Sequence, residues 1–246
     1  MSLVFLGTRA NTSTTSNKHR YYISILIQEN DTKILYDYGK GFTRDIWLKY
    51  NPDYLIISHV HPDHIAGLEN LKEGDLDNTL IIGTRQVKQW IIDHNIPIKK
   101  FKEIKRKSRF KLDNIKIETY PVEHSTVAPN ILTKIYLKDK TIAIATDFLY
   151  ARNIEDIVRD VDIWIGDGAS ISRDIVHRKN KIGHMSIAHQ LDICSKLKIP
   201  VAIFSSGDEI ITMDEQELQE TLDMLSKGVH VIIPSDGDKM KNPKRN

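Results

Sequence analysis

Cysteine is almost absent from this sequence of 246 residues, in which Cys194 stands alone. An intramolecular disulfide framework is therefore impossible, and a reducing cytoplasm is the simplest home for the chain. Cys194 recurs at helical spacing with Leu191 and Leu197. We therefore expect a packed core thiol and not a nucleophile.

Long apolar runs are also missing. No stretch reaches 18 apolar residues, so we expect no membrane-spanning helix. The N-terminal residues MSLVFLG lack the basic region of a signal peptide and indicate a first strand instead.

An excess of charge of one sign is lacking as well. The formal net charge is +2, which by itself is too small to indicate a nucleic-acid partner. Residues 99–111 are a local exception, because they are rich in lysine and arginine. Such a stretch predicts either an anion-binding surface or an edge strand protected from aggregation by its charges. The length and the hydrophobic content of 40% favour one globular domain over residues 1–246.

The most informative stretch is Ser58–His64, which follows the apolar run Tyr54–Ile57. That run predicts a buried strand, and Pro62 marks a possible helix start. Imidazole suits zinc and carboxylate suits harder metals. The spacing H-x-H-x-D-H can serve two metals from one turn, its ligand-type residues being His59, His61, Asp63 and His64. A histidine-rich surface loop or a structural metal site is the alternative interpretation.

Three further patterns predict elements near the ends of the chain and in its middle. Thr84 is expected to cap a helix, and Thr212 with Glu215 is expected to form a capping box for another. Val229–Ile233 is expected to be the last strand.

The H-x-H-x-D-H motif after an apolar strand resembles the signature of the metallo-β-lactamase superfamily. Two later segments resemble its other motifs in order, namely His124 in Pro121–Ser125 and Asp147 in Ala145–Asp147. The resemblance implies an α+β protein built as a four-layer αββα sandwich, with its metals at one edge of the two sheets.

The same resemblance implies the ligands. His59, His61 and His124 would hold a first metal. Asp63 and His64 would hold a second, and Asp147 would bridge both. One or two zinc ions are implied, and a water between two such ions has its pKa lowered towards about 7, which yields hydroxide at neutral pH. Asp63 would act on catalysis through the metal or its water.

His184 resembles the histidine that ribonuclease Z-like and related phosphodiesterase members use near the scissile phosphate. It could protonate the leaving oxygen, and Asp167 could orient it. The alternative is that His184 is a residue at a helix N-terminus satisfied by the backbone.

One position departs from the family pattern. Ser206 stands where a last histidine ligand is expected, and a neutral hydroxyl is a poor zinc ligand. Asp208 or water could then complete the second site, which would be weak or would prefer a harder metal such as manganese.

Together these features predict a metal-dependent hydrolase of a phosphodiester or related phosphate ester, acting on a small or nucleotide-like anion. The His184 segment, the turn Leu6–Arg9 and the basic stretch favour phosphate, and a nucleic-acid substrate is compatible with them. A hydrolase of another ester, lactone or thioester is the alternative, as is a degenerate metal-binding protein with little turnover. The sequence leaves the oligomeric state open.

Overall fold

The computed structural model describes residues 1–177 and 182–243. Within these residues the backbone forms two seven-stranded sheets, one short hairpin and the helices that cover the sheets.

The first sheet contains β1 (Ser2–Gly7), β2 (Ser24–Glu29), β3 (Thr32–Tyr36), β4 (Tyr54–Ile56), β5 (Leu80–Gly83), β6 (Phe101–Glu103) and β16 (Lys239–Lys241). Its spatial order is β16-β1-β2-β3-β4-β5-β6.

The second sheet contains β7 (Ser108–Leu112), β8 (Ile115–Val122), β9 (Asn130–Tyr136), β10 (Thr141–Ile144), β11 (Ile163–Gly166), β14 (Val201–Phe204) and β15 (His230–Ile232). Its spatial order is β15-β14-β11-β10-β9-β8-β7. The hairpin pairs β12 (Ile175–His177) with β13 (Ile182–His184).

The α-helices are α1 (Arg44–Tyr50), α2 (Pro62–Ile65), α3 (Arg85–Asp93), α4 (Ile154–Val158), α5 (Ile187–Leu197), α6 (Asp208–Thr212) and α7 (Glu215–Leu225). A 3₁₀ segment, Ala66–Asn70, continues α2.

Alternation along the strands builds the layers, because successive strand residues face opposite sides of a sheet. In β1, Leu3 and Phe5 join a core between the two sheets, whereas Val4 and Leu6 join a core that also contains Trp47 of α1. The outer face of the second sheet packs against helix residues such as Leu191 and Leu222. The predicted α+β class and four-layer αββα sandwich are confirmed.

Strand direction brings the loops of interest to one edge. Strands β3, β4, β5 and β6 run parallel, and so do β10, β11, β14 and β15. Strand β8 runs in the same sense as β10, because both are antiparallel to β9. The segments that follow β4, β8 and β10 therefore leave the sheets at their carboxyl ends, where side chains from distant parts of the sequence can meet.

Thr84 is the N-cap residue of α3, as predicted, although its side chain makes no capping hydrogen bond. Two other predicted details are wrong. The predicted capping box is absent, since Thr212 belongs to α6 and Asp214 caps α7 by accepting from the Gln216 amide. The segment 229–233 is not the last strand, because β16 follows it and pairs with β1 of the other sheet.

Other expectations agree with the structure. The basic stretch forms β6 and β7, the outermost strands at one side of each sheet, with Lys105, Arg106 and Lys107 exposed between them. Cys194 is buried, and burial raises the pKa of its thiol to about 12. Among the described residues, no helix has the length and apolar character needed to cross a membrane.

Candidate metal centre

Two histidines of the strand-end motif meet two residues from the other sheet. His59 and His61 follow β4, His124 follows β8, and Asp147 follows β10. Nδ1 of His61 lies 3.0 Å from Nε2 of His59 and 3.1 Å from Nε2 of His124. Oδ2 of Asp147 lies 3.4 Å from His124 Nε2 and 3.8 Å from His59 Nε2. We call these four residues the first subsite.

The other two residues of the motif, Asp63 and His64, also lie close to Asp147. Asp63 and His64 lie in the first turn of α2, which begins at Pro62. Nε2 of His64 lies 3.2 Å from Oδ2 of Asp63 and 3.4 Å from Oδ2 of Asp147. We call Asp63, His64 and Asp147 the second subsite. One carboxylate oxygen therefore faces both groups.

The residues present fit divalent metal ions. Both carboxylate oxygens of Asp63, Nε2 of His64 and Oδ2 of Asp147 are buried and make no hydrogen bond to any described residue. Buried polar atoms are normally satisfied, so atoms left like this point to a missing ligand. A tetrahedral zinc ion separates its ligand atoms by roughly 3.3 Å, which matches the spacing in the first subsite. Three imidazoles with a carboxylate are ligands that suit zinc.

Hydrogen bonds outside the subsites fix the histidine tautomers. The Ser58 hydroxyl donates to Asp37 Oδ2 over 2.8 Å, so its oxygen accepts from Nδ1–H of His59, 2.9 Å away. Nδ1 of His124 donates to the Gly183 carbonyl over 3.1 Å. In both rings Nε2 is then left with a free lone pair, the form that binds a metal.

Asp37 is the residue that the sequence interpretation missed. It is fully buried just after β3, and its Oδ2 accepts from Nδ1–H of His64 over 2.7 Å. Its Oδ1 accepts from the Ser58 amide over 2.7 Å. Asp37 therefore sets the tautomer of His64 directly and that of His59 through Ser58. The available signal was a lone aspartate near the end of the strand-like run Lys33–Tyr38, which matches no motif.

The backbone after Asp37 holds the turn that carries the second subsite. The Tyr38 amide donates to the His64 carbonyl over 2.8 Å, and the Lys40 amide donates to the Pro62 carbonyl over 2.9 Å. A Cβ at Gly39 would lie 1.9 Å from the Asp63 carbonyl oxygen, so only glycine permits this approach.

The two subsites differ in their electrostatics. Burial lowers the pKa of His59 well below its ordinary value, and the neighbouring His64 adds to that effect. Burial also lowers the pKa of His64, but the carboxylates of Asp63 and Asp147 outweigh it and raise that pKa well above its ordinary value. Burial thus favours neutral His59 in the first subsite, whereas the carboxylates of Asp63 and Asp147 draw positive charge to the second.

His184 and Asp167 form a pair beside the subsites. Nδ1–H of His184 donates to Oδ2 of Asp167 over 2.8 Å, and that oxygen also accepts from the Phe148 amide over 3.1 Å. Polar atoms of His184, Asp167 and Asp147 lie within 4.8 Å of one another, and the His184 ring centroid is 4.9 Å from that of His124. Burial lowers the pKa of His184, but Asp167 outweighs this and raises it to about 9.

Ser206 lies at the same edge and is fully buried. Its amide donates to the Thr8 carbonyl over 2.8 Å and its carbonyl accepts from the Ala10 amide over 3.0 Å. Its hydroxyl oxygen makes no hydrogen bond to a described residue. Asp208, the residue expected as a possible replacement ligand, is exposed at the start of α6 and accepts from the Thr12 hydroxyl. Among the described residues it joins neither subsite.

A family model described as "Beta-lactamase superfamily domain" matches residues 47–205, more than half of the chain. The chain is 32% identical to a ribonuclease Z of Methanococcus aeolicus over 144 residues, which is 51% of this chain and 44% of that protein. It is 26% identical to a ribonuclease Z of Nanoarchaeum equitans over 234 residues, covering 70% of this chain and 72% of that one.

Among solved structures, the metallo-beta-lactamase fold protein YhfI from Bacillus subtilis superposes with a TM-score of 0.79 at 16% identity. That match covers 97% of this chain and 98% of YhfI. At this identity the likeness concerns the fold alone.

Proposed function

This chain belongs to the beta-lactamase superfamily, and we propose that it is a metal-dependent hydrolase of a phosphodiester or related phosphate ester. One observation carries the proposal: two groups of ligand-type side chains share Asp147, whose Oδ2 faces members of both groups. A shared carboxylate can join two ions in one hydrolytic site. Residues 1–246 would form a single catalytic domain.

The proposed ligands are those of the two subsites. His59, His61, His124 and Asp147 would hold zinc in the first subsite. Asp63, His64 and Asp147 would hold a second ion, either zinc or the harder manganese, because two of these three residues are carboxylates. When bound, such ions supply Lewis acidity and activate water.

The proposed work of the protein itself is orientation and proton transfer. Asp37 and Ser58 would hold the rings of His64 and His59 through Nδ1, so that Nε2 of each ring faces its subsite. Asp167 holds His184 through Nδ1, which leaves Nε2–H of the imidazolium as the donor. With a pKa of about 9, His184 carries this proton at neutral pH and can give it to the departing oxygen.

A phosphate ester is favoured over other esters by two observations. The relatives named ribonuclease Z support a nucleic-acid or nucleotide-like substrate. Arg9 also supports an anion, because its Nε is buried without a hydrogen bond to any described residue. Its guanidinium lies 4.0 Å from the centre of the Tyr22 ring, and its backbone pairs with Ser206 at the metal edge. A lactone, thioester or other ester is the second candidate, and a cytoplasmic location stays a prediction.

The test is hydrolysis of bis(p-nitrophenyl) phosphate by purified protein loaded with zinc or manganese, with the Asp63→Asn variant as control. We expect metal-dependent turnover that the variant lacks, while its circular dichroism spectrum stays that of the wild type. Turnover of a lactone or thioester without turnover of the diester would favour the second candidate. Metal binding without turnover of any of these would favour a degenerate binding protein.

A further inference from the structure

One buried side-chain amide lies directly against the backbone of Asp167. Gln190, near the start of α5, is only 1% exposed. Its Oε1 accepts from the Asp167 amide over 3.1 Å, and its Nε2 donates to the Asp167 carbonyl over 2.7 Å. A single side chain therefore binds both backbone polar groups of Asp167, as a neighbouring strand would do.

The same amide also holds the segment that carries His184. Nε2 of Gln190 donates to the carbonyl of Met185, the residue that follows His184, over 2.8 Å. A side-chain amide nitrogen has two hydrogens, and the bonds to Asp167 and Met185 use both of them. His184 and Asp167 are 17 positions apart in the sequence. Gln190 ties both of their segments to one planar group.

Further contacts fix the orientation of the Gln190 amide. Its Oε1 also accepts from Nε1–H of Trp164 over 3.0 Å. Both partners of Oε1 are N–H donors, whereas Nε2 faces carbonyl oxygens, so a flipped amide would lose these bonds. Gly166 leaves the space, because a Cβ there would lie 2.1 Å from Oε1 of Gln190 and 2.3 Å from Nε1 of Trp164.

The backbone of Phe148 makes a second connection between the two segments. Its amide donates to Oδ2 of Asp167 over 3.1 Å, and its carbonyl accepts from the Met185 amide over 2.6 Å. The hydrogen bond from His184 to Asp167 depends on how these two backbones lie. Loss of the Gln190 amide should therefore loosen the pair without separating it completely.

We propose that Gln190 is a positioning residue, which holds the Asp167 and Met185 backbones so that Nδ1–H of His184 stays bonded to Oδ2 of Asp167. The inference rests on the proposed function, in which His184 gives a proton to the departing oxygen. Gln190 belongs to neither subsite and acts only through this pair. A catalytic group that is misplaced by about 1 Å can cost roughly 100-fold in rate.

Replacement of Gln190 should change how turnover depends on the leaving group. Gln190→Met is compared with the wild type on bis(p-nitrophenyl) phosphate and on diphenyl phosphate, whose phenolate leaves less readily. A misplaced proton donor matters most when the leaving group is poor, so kcat/KM for diphenyl phosphate should fall about tenfold further than for the nitrophenyl ester. Equal losses on both substrates would show that Gln190 only supports the fold, and would overturn the proposal.

Lys134→Met is the matched control. Lys134 is also buried, and its Nζ donates to two backbone carbonyls, those of Ile157 over 3.1 Å and Arg159 over 3.0 Å. The same replacement thus removes two comparable bonds at the end of α4, and the ratio of the two rates should stay at the wild-type value. An equal change of the ratio in this control would also contradict the proposal.

A second variant allows for the case that Gln190→Met does not fold. Gln190→Glu keeps the size and shape of the side chain but replaces the Nε2 donor by an oxygen. A carboxylate oxygen would then face the carbonyls of Asp167 and Met185 and repel them. The ratio of the two rates should fall as in Gln190→Met, and an unchanged ratio would again overturn the proposal.

Proton NMR on the zinc-loaded protein tests the pair without turnover. A histidine N–H bonded to a buried carboxylate resonates far downfield, and absence of the signal from His184→Ala assigns it. We expect this signal in the wild type and in Lys134→Met, and its loss or upfield shift in Gln190→Met. No such signal in the wild type, or an unchanged signal in Gln190→Met, would refute the positioning role. Failure of the proposed function differs: the signal would depend on Gln190 in a protein that hydrolyses no phosphodiester.

Discussion

The two subsites use one shared aspartate but differ in how completely the protein surrounds them. The first has three imidazoles and Asp147, enough for a tetrahedral zinc ion. The second has only Asp63, His64 and Asp147, and Ser206 stands where the family resemblance leads us to expect a histidine. A second ion there would therefore need water or substrate as its remaining ligands. Such an ion should be held less tightly and exchange more readily.

The largest effect is expected from the residue that the two subsites share. Asp147→Asn removes the anionic oxygen that faces both subsites, so the affinity of the protein for both ions should fall. Loss of several kcal/mol of metal assistance corresponds to about 10³-fold or more in kcat/KM. Kinetics on bis(p-nitrophenyl) phosphate, combined with zinc analysis, measures both. Wild-type turnover in the variant would remove Asp147 from the site.

His184 should matter next, and in a way that depends on the leaving group. His184→Ala should reduce the rate by about 10²–10⁴-fold for substrates with a poor leaving group such as an alkoxide. The reduction should be much smaller for p-nitrophenolate, which leaves unaided. Zinc content should stay at the wild-type value, which separates this residue from the two subsites. Equal losses on both substrates would instead indicate a role in binding or structure.

We expect a smaller effect from substituting Asp37 or Ser58, which hold the histidine rings. The two variants compare the subsites directly. Asp37→Asn should weaken the second subsite more than the first, because Asp37 orients His64 directly and His59 only through Ser58. Ser58→Ala should weaken the first, because Ser58 contacts His59. Loss of such support typically costs about 10–100-fold in metal affinity or activity. Competition with a chromogenic chelator measures each affinity, and an identical profile for the two variants would contradict the assignment.

The smallest expected change is a doubling of metal content. Ser206→His would add an imidazole at the position of the departure and should raise zinc retention from near one to near two ions per chain. Because Ser206 is fully buried, a larger side chain can destabilise the fold, so thermal unfolding accompanies the zinc analysis. A stably folded variant that retains no more zinc than the wild type would show that position 206 does not serve the second subsite.

Sequence alone pointed to the candidate residues that are close together in the chain or that belong to a motif. His59, His61, Asp63 and His64 lie within six positions, so their proximity could be anticipated. Asp37 could not be recognised in this way, since its partners His64 and Ser58 are more than twenty positions away. They meet it only because β3 and β4 pair in parallel, with Tyr36 opposite Ile56.

The same contrast between local and distant residues applies to the prediction of the fold. The apolar run Tyr54–Ile57 predicted the central strand β4, because the burial of that strand is evident in its local sequence. The edge strand β16 was missed, because its sequence Lys239–Lys241 is short and mostly charged and its pairing partner β1 lies at the other end of the chain. Asp214 caps α7 in place of the predicted Thr212. Both are acceptable capping residues and they lie within three positions, so the sequence alone did not decide between them.

Zinc stoichiometry shows whether the two subsites hold metal unequally. Wild-type protein loaded with excess zinc is dialysed against metal-free buffer, and its zinc is measured by plasma emission against protein concentration. Four protein ligands against three predict that nearer one than two ions per chain remain bound. Retention of two ions per chain would show that the second subsite holds zinc as firmly as the first, which would contradict the predicted difference.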